Sequence, residues 1–237
     1  RTLIRNMGAL GIPVWCYEWM PVFNWLRTSL ALPTRGGALT TAYDHRLMQN
    51  APLTEYGQVT EESLWENLGY FLDAVIPVAE EAGVKLAMHP DDPPITPIRG
   101  VSRIMRSIEN YRRLVDMLPS PMNTITLCQG NFTLMTDDLP GEIRRFGDTI
   151  SFVHFRDVRG VPTRFEETWH DDGKTDMLAT MRAYRDIGFS GVLRPDHVPT
   201  VEGDSNEQAG YSAFGRLYAI GYIRGLHEAV YAETGAA

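Results

Sequence analysis

The chain alternates between two kinds of segment, and that alternation narrows the folds open to it more than any other feature. Short β-branched or apolar runs occupy residues 12–17, 84–88, 124–127, 150–153 and 191–193. A polar, Pro- or Gly-bearing loop follows each run, and then a longer stretch in which apolar residues recur at helical spacing. Residues 61–82 place Leu64, Leu68, Phe71, Leu72, Val75, Val78 and Ala79 on one face, with Gly83 as the C-terminal stop. Residues 107–118 end before Pro119, residues 176–187 end at Gly188, and residues 215–232 read as a closing helix. Repeated β-loop-α units predict an α/β fold around a parallel sheet, its strands buried on both faces.

At 237 residues the length fits one domain, 1–237, of a TIM (β/α)8 barrel, although one large sandwich has the same size. A compact barrel needs about 250 residues and eight strands. Five strands are visible, and residues 4–10, stopped by Gly11, read as the tail of a helix from a preceding unit. The expectation is therefore the C-terminal part of a barrel with three units missing. A net charge of −8 and the lack of any Lys/Arg block speak against nucleic acid as a partner. No apolar run approaches the roughly 20 residues of a membrane span. Two cysteines are too few for a disulfide framework, and they suit a cytoplasmic chain. Assembly into a homo-oligomer stays open.

Chemistry enters at the ends of the runs. Residues 84–88 lead to His89, 124–127 to Cys128, 150–153 to His154 and 191–195 to Asp196. In a barrel of parallel strands these positions converge on the C-terminal rim, where active sites of this fold sit. Two imidazoles, a thiolate and a carboxylate suit a borderline divalent ion. Taken singly, a histidine after a strand is more often a hydrogen-bonded core or loop residue, and a buried cysteine a small hydrophobe. The chain has only six His and two Cys, which makes three of them at successive strand ends an improbable accident. A Cys16–Cys128 disulfide and a Cys128 nucleophile stay open, but a nucleophile leaves the other three residues without a role.

Neighbouring residues extend the set. The turn His89-Pro90-Asp91-Asp92-Pro93-Pro94 puts Asp91 and Asp92 where they can orient an imidazole or bind a polyol, or simply cap a helix. Arg156 and Arg194 share strand parity with His154 and Asp196. Arg156 is the better placed to grip a substrate carboxylate, and Arg194 the more suited to an ion pair. His197 and Tyr211 are candidates for proton transfer, Tyr211 having a packed aromatic as its plainer reading.

On these residues the chain resembles the mannonate dehydratases of the hexuronate pathway, in the xylose isomerase-like TIM-barrel superfamily. The segments Cys16-Tyr17-Glu18-Trp19-Met20-Pro21-Val22, Phe23-Asn24-Trp25-Leu26-Arg27-Thr28, Cys128-Gln129-Gly130, His154-Phe155-Arg156-Asp157-Val158 and Arg194-Pro195-Asp196-His197 follow the family's order. The resemblance implies that the visible strands are the fourth to eighth of the barrel and that strands one to three precede Arg1. It implies Mn²⁺ on His89, Cys128, His154 and Asp196, where ligand chemistry alone ranks Fe²⁺ and Zn²⁺ level with it. It also implies acid–base roles for His197 and Tyr211, and a carbon–oxygen lyase converting the small sugar acid D-mannonate to 2-keto-3-deoxy-D-gluconate. A sugar isomerase or epimerase on a related barrel, usually richer in carboxylate ligands, and a non-catalytic metal-binding barrel are the competing readings. Where the family usually has Asn, Phe and Asp this chain has Glu18, Trp19 and Asn24, and Val198 stands where Gly follows the Asp-His pair. Residues 199–210 also differ from the usual connection.

Overall fold

The computed structural model describes residues 1–233. Along them run α1 (Thr2–Ala9), β1 (Val14–Glu18), the hairpin β2 (Ser29–Pro33) and β3 (Leu39–Asp44), α2 (Glu61–Ala82), β4 (Lys85–His89) and α3 (Ile108–Met117). Next come β5 (Asn123–Cys128), α4 (Gln129–Met135), α5 (Leu139–Phe146), β6 (Ile150–Phe155), and the hairpin β7 (Val158–Val161) and β8 (Arg164–Glu167). The last elements are α6 (Met177–Asp186), β9 (Val192–Pro195) and α7 (Ala213–Ala232).

The five expected strands form one all-parallel sheet in the order β1-β4-β5-β6-β9. The sheet is strongly curled. Thr126 Oγ1 on β5 donates to Cys16 Sγ on β1 at 3.2 Å, and imidazole nitrogens of His89 on β4 and His154 on β6 lie 3.1 Å apart. Strands two apart in a flat sheet are separated by roughly 10 Å, so such contacts require the inner face to be concave. The arrangement is half of a barrel. Burial on both faces holds for β5, whereas the edge strands are more open and Val192 on β9 is 51% exposed. An edge strand lacks the neighbour that would cover its flank.

Helix α2 shows how local sequence makes its element. Thr60 caps it by accepting from Ser63 N at 3.2 Å, and Gly83 ends it at φ 67°, a left-handed conformation costly for any residue with a Cβ. Its Leu64, Leu68, Leu72 and Ile76 are buried in one cluster with Leu86, Met88, Ile125, Leu127 and Val153 of the sheet. The helix thus closes the outer face of the strands that carry the site.

A second sheet, antiparallel in the order β2-β3-β8-β7, was not expected from the alternation. Its central pairing joins Tyr43 to Phe165 across more than a hundred residues, and no local pattern announces so distant a partner. Helices α4 and α5 were likewise unanticipated. Tyr43, Phe165, Val158 and Leu134 form a small cluster that seats this sheet beside the parallel one. Among the described residues no helix is long and apolar enough to cross a membrane.

Asp157 pins the junction between the sheets. Its Oδ1 accepts from Val158 N at 2.8 Å and Thr175 N at 3.2 Å, and burial pushes its carboxyl up to about 6 from 3.8. A folded-state pKa above the unfolded one means that the stability contribution is full below the unfolded value and is lost as pH rises through the folded one. Charging Asp157 above pH 6 therefore opposes folding by about 2–3 kcal/mol. Asp157→Asn should gain stability relative to wild type by that order between pH 4 and pH 8. Urea midpoints at the two pH values check this, and a constant difference would rule it out.

Candidate functional site

His89 ends β4, Cys128 ends β5, His154 lies on β6 and Asp196 directly follows β9. Register brings them to one level: Cys128 is opposite His154, and His154 is opposite Arg194, two residues before Asp196. One donor atom from each lies within 4.8 Å of all the others. Cys128 Sγ is 3.8 Å and His154 Nδ1 3.6 Å from Asp196 Oδ2. Tetrahedral coordination at bond lengths near 2.0–2.3 Å spaces donors about 3.3–3.8 Å apart, so this set fits a divalent ion with little movement. His89 Nδ1 is 2.8 Å from the Pro90 carbonyl and must donate to it, which leaves the Nε2 lone pair facing the cluster. Burial lowers the pKa of both imidazoles, that of His154 to about 2, so both are neutral donors at physiological pH. Burial opposes the charge on Asp196, but the positive charge around it, with Arg156 its permanent member, outweighs burial and holds the carboxyl well below its usual range. The Cys128 thiol is pushed up by burial, and a metal ion bound there displaces its proton. Both cysteines are free, which excludes the Cys16–Cys128 disulfide, and the raised thiol does not favour a nucleophile.

Beneath the tetrad four charged side chains close a ring. Arg27 binds Asp92 through two hydrogen bonds of 2.7 and 2.8 Å and reaches Glu167 at 2.6 Å. Arg156 binds Glu167 through bonds of 2.8 and 2.6 Å and returns to Asp92 at 3.1 Å. The arginine side chains are 0% exposed and the carboxylates 1%. Burial disfavours the charged Glu167, yet Arg156 and Arg27 reverse the balance and hold it at about 2. Asp92, Glu167 and His197 also stand close enough together to suggest a second cation site. The two guanidiniums already neutralise both carboxylates, so the electrostatics reject one.

His197 connects the ring to the pocket. Its Nδ1 is 3.2 Å from Glu167 Oε1, its Nε2 is 2.8 Å from the Tyr211 hydroxyl, and the Trp25 ring covers it at 5.0 Å. Burial, reinforced by Asp196, keeps the Tyr211 phenol protonated. His197, Tyr211 and Trp25, with the tetrad's His89, His154 and Asp196, border a cavity of about 220 Å³. A larger space of about 600 Å³ opens at the opposite ends of the strands, where Lys85 and Asp148 supply the lining charges, and it has no comparable cluster.

Two sequence expectations need correction. Arg156 does not face the cavity: the concave sheet turns it inward, where it is fully buried in the ring and touches Cys128 Sγ at 3.3 Å and Asn131 Oδ1 at 2.8 Å. Asp91 is also committed elsewhere, to Arg103 at 3.1 Å and Met105 N at 2.7 Å. Asp92 and Arg194 do line the cavity, and Arg194, 3.5 Å from Asp196 with its side chain 40% exposed, is the open cation there. Of the unusual residues, Glu18 lines the cavity, while Trp19 packs on Phe71 at 5.3 Å and the Asn24 carbonyl accepts from Arg103. Val198 is buried and bridges to the Tyr211 backbone. Sequence reasoning missed Arg27 and Glu167, whose loop and hairpin settings carry no local signal of a shared site.

A curled parallel sheet with a His₂-Cys-Asp cluster and a His–Tyr pair at its C-terminal rim defines a candidate metal-dependent α/β enzyme. The family profile described as D-mannonate dehydratase (UxuA) matches residues 1–55 and 50–236. Mannonate dehydratase of Enterococcus faecalis is 37% identical over 268 residues, spanning 98% of this chain and 74% of that protein. The Oceanobacillus iheyensis protein of the same name is 38% identical, over 96% of this chain and 72% of its own length. The crystal structure of mannonate dehydratase from Streptococcus suis serotype 2 superposes with a TM-score of 0.90 at 36% identity, covering 98% of this chain and 69% of that one. A D-tagatose 3-epimerase-like protein shares the fold at a TM-score of 0.60 and 15% identity. The chain belongs to the D-mannonate dehydratase family.

Gly130 gives the ring a direct test. A Cβ there would lie 2.7 Å from Arg156 Nε and 3.0 Å from its Cζ, and Arg156 has no free space to retreat into. Gly130→Ala should lower stability by about 1–3 kcal/mol, the usual range for overpacking. An unchanged urea midpoint would mean that the ring yields without cost.

Proposed function

We propose that this chain is a divalent-metal-dependent lyase that removes water from D-mannonate to give 2-keto-3-deoxy-D-gluconate. The observation that carries the reading is the convergence, on one cavity, of the His89, Cys128, His154 and Asp196 donors with the His197–Tyr211 pair, in a chain of this family. The ion, which we assign as Mn²⁺, supplies Lewis-acid stabilisation of the negative charge that builds on the substrate when its C2 proton leaves. The mixed donor set alone would also accept Fe²⁺ or Zn²⁺.

The chain's own residues supply the rest. Arg194 is the cation at the cavity that can meet the substrate carboxylate, the role that buried Arg156 cannot fill. One member of the His197–Tyr211 pair takes the C2 proton; the electron pair forms the C2–C3 double bond as the C3–O bond breaks, and the other member protonates the departing hydroxyl as water. The enol then becomes the 2-keto acid, and the 2.8 Å bond between the pair returns the proton. Trp25 shields the imidazole from water. Asp92, fixed by two arginines, offers its remaining acceptor capacity to a sugar hydroxyl.

We read the five parallel strands as the fourth to eighth of a TIM barrel and residues 1–237 as the C-terminal part of one domain. The open edges of β1 and β9 and the greater length of the relatives support this reading. Two free cysteines fit a cytoplasmic setting.

Incubation of D-mannonate with the Mn²⁺-loaded protein should yield a 2-keto-3-deoxy acid, a product that an isomerase or epimerase cannot form. Tyr211→Phe should lower kcat by about 10²–10⁴-fold. Undiminished turnover would remove Tyr211 from the chemistry. His154→Ala should weaken Mn²⁺ binding, followed by electron paramagnetic resonance, beyond the roughly 10–100-fold that loss of an outer partner costs. Unchanged binding would place the ion elsewhere.

A further inference from the structure

We infer that Glu167 is a positioning residue that holds His197 in the tautomer with the proton on Nδ1, leaving the Nε2 lone pair toward Tyr211. The inference rests on the acid–base reading above and decides which partner starts with the proton.

A count of hydrogens carries the argument. Arg27 Nη2 has two, and both are engaged, with Asp92 Oδ2 at 2.8 Å and Glu167 Oε1 at 2.6 Å. His197 Nδ1 lies 3.3 Å from the same nitrogen and could only share a hydrogen that the Glu167 carboxylate, at 2.6 Å, already holds more tightly. A bare lone pair on Nδ1 would face the Glu167 carboxylate oxygen at 3.2 Å, acceptor against acceptor, in a site closed to water. The arrangement is satisfied when Nδ1 carries the hydrogen and donates it to Glu167. In that tautomer the lone pair is on Nε2, so at 2.8 Å the Tyr211 hydroxyl is the donor. His197 therefore enters the reaction as the proton acceptor and Tyr211 as the proton donor.

Glu167 performs this without touching the cavity. It stands on β8, and none of the residues lining the cavity belongs to the antiparallel strands. The carboxylate is held from the other side by Arg156, whose Nη1 also reaches Cys128 Sγ at 3.3 Å. The second sheet thus contributes to the site through one rigid carboxylate aimed at one ring nitrogen.

The experiment uses the full chain loaded with diamagnetic Zn²⁺ and labelled with ¹⁵N-histidine, the His197 signals being assigned by their loss in His197→Asn. Wild type should show a protonated Nδ1 and an unprotonated Nε2, and Glu167→Gln should shift His197 toward the other tautomer. With Mn²⁺ and D-mannonate, Glu167→Gln should lose about 10²-fold in kcat while KM and Mn²⁺ affinity stay within about threefold. A protonated Nε2 in wild type overturns the inference even if the variant does not fold, and so does an unshifted tautomer in Glu167→Gln. If the tautomer is as stated but His197→Asn keeps full turnover, the hold of Glu167 stands and the acid–base reading falls.

Discussion

The closed ring of Arg27, Asp92, Arg156 and Glu167 is the interaction on which the rest of the site depends. Its two positive and two negative groups alternate, so the ring is neutral although almost fully withdrawn from water. Such charges are tolerated in a protein interior only when every one is paired, and removing one partner from a buried pair typically costs about 3–5 kcal/mol. The four residues come from the loop after β1, the turn after β4, the position directly after β6 and the end of β8. Satisfying the ring therefore locks the antiparallel sheet to the parallel one, and it fixes Asp92 and His197, which line the cavity, relative to each other.

Sheet curvature does the complementary work. Cys128 and Asp196 approach because β5 and β9, two apart in the sheet, wrap around a concave face, as β4 and β6 do for His89 and His154. The donors thus converge without any loop reaching across. Arg156 occupies the same concavity from below, and its contact with Cys128 Sγ links the charge ring to the donor set. Two small systems with different chemistry, a neutral ring and an ion-ready cluster, are joined by one guanidinium on one side and by His197 on the other.

The division of labour between the sheets follows. The parallel strands present residues to the cavity, as the C-terminal rims of such sheets generally do. The antiparallel strands present none and act through Glu167. The open cation left to the cavity is Arg194, at the edge strand, where fewer neighbours compete for its guanidinium.

The sequence by itself determined the five parallel strands, the principal helices and the four donors at the strand ends. Each of these is a local property: strand parity, helical spacing and the residue that follows an apolar run are set within about ten residues, the range over which backbone periodicity acts. Only the tertiary structure decided which arginine meets the cavity. Arg156 and Arg194 have equivalent parity in sequence, and their fates differ because one is surrounded by Glu167, Asp92 and Asn131 and the other lies at an edge. The same holds for Asp91 and Asp92, adjacent in the chain but paired with Arg103 and Arg27 respectively. Arg27 and Glu167 were illegible for the strongest version of this reason. They are 140 residues apart, and their bond exists only because β3 and β8 pair and carry the second sheet to the rim of the first.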